Sequence, residues 1–238
     1  PAAVAQDDGT FEPGDCPFAV PAGETVDCGT LFVPEDRTDP NSPEIALAVA
    51  IVRAENGDAL PDPIIYLEGG PGGSAISSLD AWFDSPYRED RDIILIDQRG
   101  TGLSEPALIC EFDEGSDDEL ADIQQCRDGF VADGVNIAAY TSATNAADIN
   151  ALRLALGYDA VNLYGVSYGT RLAMTVMRDF PDGIRSVVLD SPYPPAADGF
   201  EEDGANFYYS LTTLAADCAA DADCNAAFPD LEGFFVDL

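Results

Sequence analysis

Short runs of apolar residues alternate with segments of helical spacing along most of this chain. Pro63–Leu67 and Asp92–Asp97 are compact apolar runs without alternation, the pattern of central strands buried on both faces. Ala160–Tyr164 and Arg185–Asp190 read the same way, and Thr30–Val33 is a further short strand. Ile45–Arg53 alternates as one arm of a hairpin near a sheet edge does. Between the runs, Asn145–Leu156 places Ile149, Leu152 and Leu156 on one helical face, and Gly157 is its stop signal. Thr170–Asp179 is a second helical segment. Strands alternating with helices predict an α/β protein with a doubly wound, mostly parallel sheet. Residues 1 to about 15 are acidic and predicted loose, and 111–122 form an acid-dense loop or helix. From Pro192 onward the pattern turns helical and aromatic. There are no internal repeats, and no apolar run reaches the ~20 residues of a spanning helix.

Charge narrows the partners. The chain has 238 residues, with 45 acidic side chains against 10 basic ones, a net charge of −35. Every basic residue is arginine; lysine and histidine are absent. Such a chain repels nucleic acid and anionic membranes, since both require positive charge on the protein. Its self-repulsion is relieved by salt. Two readings follow: a very soluble secreted protein, or one adapted to a saline medium.

Six cysteines fall into three close pairs, Cys16 with Cys28, Cys110 with Cys126, and Cys218 with Cys224. Fifteen pairings are formally open, and local pairing is the simplest. Zinc is the alternative, but there is no histidine and no C-x-x-C spacing. Disulfides imply an oxidising compartment, and Pro1–Gln6 has the small-residue character of a signal-cleavage trace. An exported, soluble protein is expected.

The chemistry centres on Gly165-Val166-Ser167-Tyr168-Gly169, a G-x-S-x-G run between a strand and a helix. That context is a nucleophile elbow, in which a sharp turn exposes the serine hydroxyl above the sheet. A serine hydroxyl needs a base to take its proton, and this chain holds no histidine to do so. Gly69-Gly70-Pro71-Gly72-Gly73-Ser74 follows an earlier strand, where the loop supplies one oxyanion-hole N–H. The expected donors are Tyr168 N–H and Gly72 N–H, with Gly73 as second choice. A phosphate-binding loop is excluded because it needs a lysine. Asp97-Gln98-Arg99-Gly100-Thr101-Gly102 is not a G-x-G-x-x-G fingerprint; Asp97 and Arg99 are expected to shape the loop beneath the site.

Together Glu68–Ser74, Asp97–Gly102 and Asn162–Arg171 resemble the α/β-hydrolase fold peptidases, the branch of prolyl aminopeptidases and secreted tripeptidyl aminopeptidases. Cys28–Leu31, Val33–Asp36, Val187–Ser191 and the Cys218–Cys224 segment extend the likeness over nearly the whole chain. Glu68 stands where prolyl aminopeptidases usually have histidine, which favours the tripeptidyl branch. The resemblance implies an incomplete α/β-hydrolase core over 1–195 and the start of a helical lid over 196–238. It implies Ser167 as nucleophile, Gly72 and Tyr168 as oxyanion donors, and no cofactor or metal. The implied activity removes short peptides or single residues from free N-termini; a serine esterase and a non-catalytic binding module are the alternatives.

In this fold the triad runs Ser, acid, His. Only 71 residues follow Ser167, and they include one clear strand. The acid and histidine are therefore expected from a C-terminal half of the same precursor or from a second chain that completes the sheet. Asp190, at a strand end, is the alternative acid. Glu201 and Glu202, with Asp203, are candidates for holding a substrate ammonium. In so acidic a chain a solvated patch is the competing reading. Phe200, Phe207, Tyr208 and Tyr209 are either pocket lining or lid core.

Overall fold

Alternation along the strands sorts the apolar side chains onto the two faces of one sheet. The computed structural model describes residues 9–110 and 118–236, except the side chains of 200 and 236. Residues 1–6 and the acid-dense 111–117 lie outside that description. The strands are β1 (Thr10–Gly14), β2 (Val26–Pro34), β3 (Glu44–Val52), β4 (Ile64–Leu67), β5 (Ile93–Ile96), β6 (Val161–Val166) and β7 (Ile184–Asp190). Their spatial order is β1-β2-β3-β5-β4-β6-β7. The first three form an antiparallel meander that joins β5 antiparallel, while β5, β4, β6 and β7 run parallel. The α/β class expected from the alternating pattern is the fold observed.

Five helices belong with this account of the chain up to residue 220: α1 (Leu79–Phe83), α2 (Glu119–Ala132), α3 (Ser142–Ala155), α4 (Tyr168–Asp179) and α5 (Gly199–Ala220). On one face of the sheet, Ile65, Leu67, Ile94, Ile96, Val161 and Leu163 pack beneath Ile149 and Leu152 of α3 and Leu172 and Val176 of α4. On the other, Ile64, Tyr66, Ile93 and Leu95 meet Leu79 and Trp82 of α1. Right-handed crossovers explain the division. The path from β4 to β5 runs toward β3, whereas the paths to β6 and then β7 run the opposite way, so their helices fall on opposite faces.

Two expectations change. The start of the chain is not all loose: Thr10–Gly14 is an edge strand, with Phe11 packed against the core and paired in register with Leu31. α3 begins three residues before the apolar period does. Thr141 caps it, its hydroxyl accepting from Thr144 N–H at 3.2 Å while the Thr144 hydroxyl accepts from Thr141 N–H at 3.0 Å. Disulfides join Cys16–Cys28, Cys110–Cys126 and Cys218–Cys224, with Cα separations of 5.1, 5.8 and 5.1 Å.

The chain divides into two compact units, the first ending at Pro194 and the second starting at Pro195. The second is helical: α5 is followed by α6 (Ala222–Ala227) and α7 (Leu231–Val236), and Cys218–Cys224 ties α5 to α6. Among the described residues no helix is long and apolar enough to cross a membrane.

Candidate active site

Ser167 sits between the last residue of β6 and the first of α4, at φ 54°, ψ −122°. A positive φ in a residue with a side chain costs on the order of 1–3 kcal/mol and persists only where the surroundings fix it. Here they do. Ser167 N–H donates to the Asp190 carbonyl at 2.9 Å, and its own carbonyl accepts from Thr170 N–H at 2.9 Å and the Thr170 hydroxyl at 2.6 Å. The flanking glycines are steric requirements. A Cβ on Gly165 would strike the Gly169 carbonyl, and one on Gly169 would strike the Leu67 carbonyl at the end of β4. The side chain of Ser167 is left exposed at the N-terminus of a twelve-residue helix. Partial positive charge and open N–H groups converge there.

The glycine loop lies against this turn. A Cβ on Gly69 would stand 3.1 Å from Ser167 Cβ and 3.6 Å from its Oγ. Within the loop the donors are unequally committed. Gly69 N–H donates to Glu68 Oε1 at 2.7 Å, and Gly73 N–H donates to the Gly69 carbonyl at 3.2 Å. Gly72 N–H and Tyr168 N–H donate to no acceptor among the described residues. Gly70 and Gly72 both take φ 109°, a backbone region that glycine enters without strain. Tyr168 is buried, and its hydroxyl lies 2.8 Å from the Ser142 hydroxyl at the start of α3.

Beneath the loop is a buried carboxylate. Asp97, fully buried, accepts from the Ser74 hydroxyl at 2.9 Å, Ile76 N–H at 3.0 Å and Leu103 N–H at 2.8 Å. It thereby joins the glycine loop to the loop after β5. Gln98 Nε2 donates to the Glu68 carbonyl at 3.0 Å, a second tie. Arg99 is buried and forks onto Asp148 of α3, with Nε to Oδ2 at 2.7 Å and Nη2 to Oδ1 at 2.9 Å. Its remaining donors reach the Glu35 and Ala139 carbonyls, and Arg37 adds a second contact to Asp148 at 2.8 Å. The expected loop-shaping part of Asp97 and Arg99 has this geometry; neither faces the open side of Ser167 as a reacting group would.

Glu68, Gln98, Ser74 and Asp148 carry this support and were not singled out for it by sequence. Only the position of Asp148, next to Ile149 on the apolar face of its helix, hinted at a buried carboxylate. Glu68 also accepts from the Tyr66 hydroxyl at 3.0 Å. Burial pushes the Tyr66 phenol up, and the Glu68 charge beside it adds to the shift.

Asp190 ends β7 and is exposed; its carboxylate accepts from the Tyr164 hydroxyl and the Ser191 hydroxyl, both at 3.2 Å. Burial and this contact raise the Tyr164 phenol. No base is available to Asp190 in a chain without histidine. Glu201 and Glu202 lie exposed in the first turn of α5, in the second unit, capped by Asp198, whose carboxylate accepts from Glu201 N–H at 3.3 Å. Acids are favoured at that helix end by the macrodipole alone. Phe207, Tyr208 and Tyr209 are exposed on the same helix, and the side chain of Phe200 is outside the described residues. Among the described residues no cluster of three or more His, Cys, Asp or Glu is arranged to hold a metal.

Comparison with known proteins identifies the family. The chain is 34% identical over 221 residues to serine protease Hip1 of Mycobacterium tuberculosis, covering 83% of this chain and 42% of that protein. It is 31% identical over 212 residues to the tripeptidyl aminopeptidase of Streptomyces coelicolor, covering 77% and 38%. Carboxylesterase B of M. tuberculosis is 33% identical over 228 residues, covering 84% and 43%. The chain thus spans less than half the length of the curated relatives it matches. A solved proline iminopeptidase from Mycobacterium smegmatis is similar with a TM-score of 0.47 at 21% identity, over 86% of this chain and 57% of that one. Residues 62–226 match the alpha/beta hydrolase fold family, from the start of β4 through the elbow to α6, and the chain belongs to that family.

Proposed function

We propose that this chain is the nucleophile-bearing part of an exported serine peptidase that cleaves short peptides from free N-termini through an acyl-enzyme on Ser167. The observation that carries the reading is the strained, exposed Ser167 against Gly69 of the glycine loop, with Tyr168 N–H beside it in the chain and Gly72 N–H in that loop both uncommitted. In the reaction Ser167 Oγ attacks the scissile carbonyl carbon, a base takes the hydroxyl proton, and the oxyanion is held by the two N–H groups. The proton passes to the departing amine, and water then releases the acyl group. Gly72 is the better donor than Gly73, whose N–H is spent on the Gly69 carbonyl.

The acid and histidine come, in this reading, from the part of the protein that the relatives have and this chain does not span. That part pairs with β7. Among the described residues β7 is bonded only to β6, and a bare edge with Val187, Val188 and Leu189 is an aggregation template. The second unit is the beginning of a lid. Three disulfides support export, and the acidity supports a saline medium.

The tripeptidyl aminopeptidase likeness favours peptide substrates; the carboxylesterase likeness keeps an ester reading on the same serine. Incubating the full-length protein with a serine-directed phosphonate should label Ser167, and comparing tripeptidyl-amide with acyl-ester turnover ranks the two substrates. Labelling at another serine, with Ser167→Ala still active, sinks the assignment. No labelling and no turnover of either substrate indicates a non-catalytic protein.

A further inference from the structure

Among the described residues, two that carry side chains take a positive φ, Ser167 at 54° and Ser191 at 58°. The first is the elbow; the second lies in the short segment that leaves β7. Such outliers persist only where the surroundings fix them, and here the two are joined. Ser167 N–H donates to the Asp190 carbonyl at 2.9 Å, on one side of Ser191. On the other side, Tyr193 N–H donates to the Thr170 hydroxyl at 2.7 Å, and that hydroxyl donates to the Ser167 carbonyl at 2.6 Å. The segment 190–193 thus grips both the N–H and the carbonyl of Ser167.

Thr170 is fully buried, and its hydroxyl both donates and accepts. A threonine in a helix commonly bonds back to a carbonyl three or four residues earlier, as Thr175 does to Arg171 at 2.8 Å. Thr170 adds a second partner from outside the helix, and the segment that supplies it is itself held. The Arg171 guanidinium lies 4.9 Å from the centre of the Tyr193 ring, and its Nη1 donates to the Pro194 carbonyl at 3.4 Å. The Ser167 carbonyl matters because a peptide group is planar and trans. That carbonyl and the N–H of Tyr168 point opposite ways on one rigid plane. Whatever holds the carbonyl therefore aims the N–H, and that N–H is a proposed oxyanion donor.

We infer that Thr170 is a positioning residue: its hydroxyl, held by Tyr193 N–H, aims the Ser167–Tyr168 peptide and so sets the direction of the Tyr168 donor. The inference rests on the proposed reading of Ser167 as nucleophile and adds to it that the segment between β7 and the second unit takes part in the aim. The bond from Thr170 N–H to the Ser167 carbonyl, 2.9 Å, remains when the hydroxyl is removed, so the elbow keeps its turn and loses its fine direction. A misaimed donor weakens binding of the developing oxyanion more than binding of the substrate.

Thr170→Val and Thr170→Ser in the full-length protein test this, read as kcat, KM and melting temperature on whichever of tripeptidyl-amide and acyl-ester the wild type turns over. Thr170→Val keeps the shape and removes the hydroxyl. It should lower kcat by about tenfold or more, short of the ~10²–10³ lost when an oxyanion donor is removed outright, with KM little changed. Thr170→Ser should recover most of that rate. Unchanged kcat in Thr170→Val, a rise in KM in place of the fall in kcat, or no recovery in Thr170→Ser overturns the inference and leaves Ser167 as nucleophile. If Thr170→Val does not fold, Tyr193→Pro, which lacks the N–H, is set against Tyr193→Ala, which keeps it. A lower kcat in the proline variant supports the relay, and equal rates overturn it. A wild-type protein whose Ser167 the phosphonate does not label overturns the serine reading and this inference with it.

Discussion

The two ends of the parallel strands use the same residue types in opposite ways. At the carboxyl end Asp97 is buried and spent on the Ser74 hydroxyl and the Ile76 and Leu103 N–H groups, and the buried Arg99–Asp148 fork is completed by Arg37 and the Glu35 and Ala139 carbonyls. At the amino end, Asp62 gathers Arg91 at 3.1 Å, Arg185 at 3.0 Å and Asn162 Nδ2 at 2.8 Å, joining the starts of β4, β6 and β7. Arg53 joins Asp92 at 2.6 Å and also Asp27 there, with its own side chain 38% exposed. A desolvated carboxylate with a full set of donors fixes geometry, because any loop movement strands a charge. A half-exposed cluster ties strands together but is screened by salt and contributes little per pair. With ten arginines among 45 acids, the chain spends Arg37 and Arg99 together on the buried Asp148.

The sharpest way to isolate the carboxyl end is to remove its proposed reacting atom. Ser167→Ala in the full-length protein should abolish turnover, by a factor on the order of 10⁶ if the serine works in a full triad, while leaving the melting temperature close to wild type. Loss of folding along with activity would mean that the hydroxyl is structural. Next in size, Asp97→Ala leaves Ile76 N–H, Leu103 N–H and the Ser74 hydroxyl without their acceptor. It should cost about 3–5 kcal/mol in urea unfolding, with Asp97→Asn intermediate. An effect under ~1 kcal/mol would place Asp97 with the surface pairs and erase the contrast between the ends.

Salt acts on the whole acidic surface. Most of the 45 acids have no arginine to pair with, so raising ionic strength from low to molar should raise the melting temperature. A flat or falling midpoint would show that the acidity serves solubility alone. The smallest effect belongs to the amino end. Burial works against the Asp62 carboxylate, but hydrogen bonds from Asn162 and Arg91 outweigh it and hold its pKa below the usual carboxylate range. A folded-state pKa below the unfolded one stabilises at and above the ordinary range, and that stability is lost as pH falls through the depressed value. Asp62→Asn should therefore cost up to about 1 kcal/mol near neutrality and converge with wild type in strong acid. A gap that persists in strong acid would assign the loss to packing.

Much of this fold is legible in the chain because its signals are local. An apolar run such as Asp92–Asp97 has nowhere to go but the middle of a sheet. The G-x-S-x-G spacing reports a turn whose glycines are demanded by the Leu67 and Gly169 carbonyls. β1 escaped because Thr10–Gly14 has a single large apolar residue, Phe11, and becomes a strand only by pairing with β2. α2 escaped because no side chain described in it is buried, so no apolar stripe marks it.

Sequence alone determined the class of sheet, the turn at Ser167, the glycine loop and the absence of histidine from this chain, since each depends on residue type and spacing. Tertiary structure decided which loop donors remain uncommitted among the described residues, and that Asp148 pairs with Arg99. Those are long-range facts. Asp148 is separated from Arg99 by 49 positions, and the value of a carboxylate depends on whether the fold removes it from water and what donors it then meets.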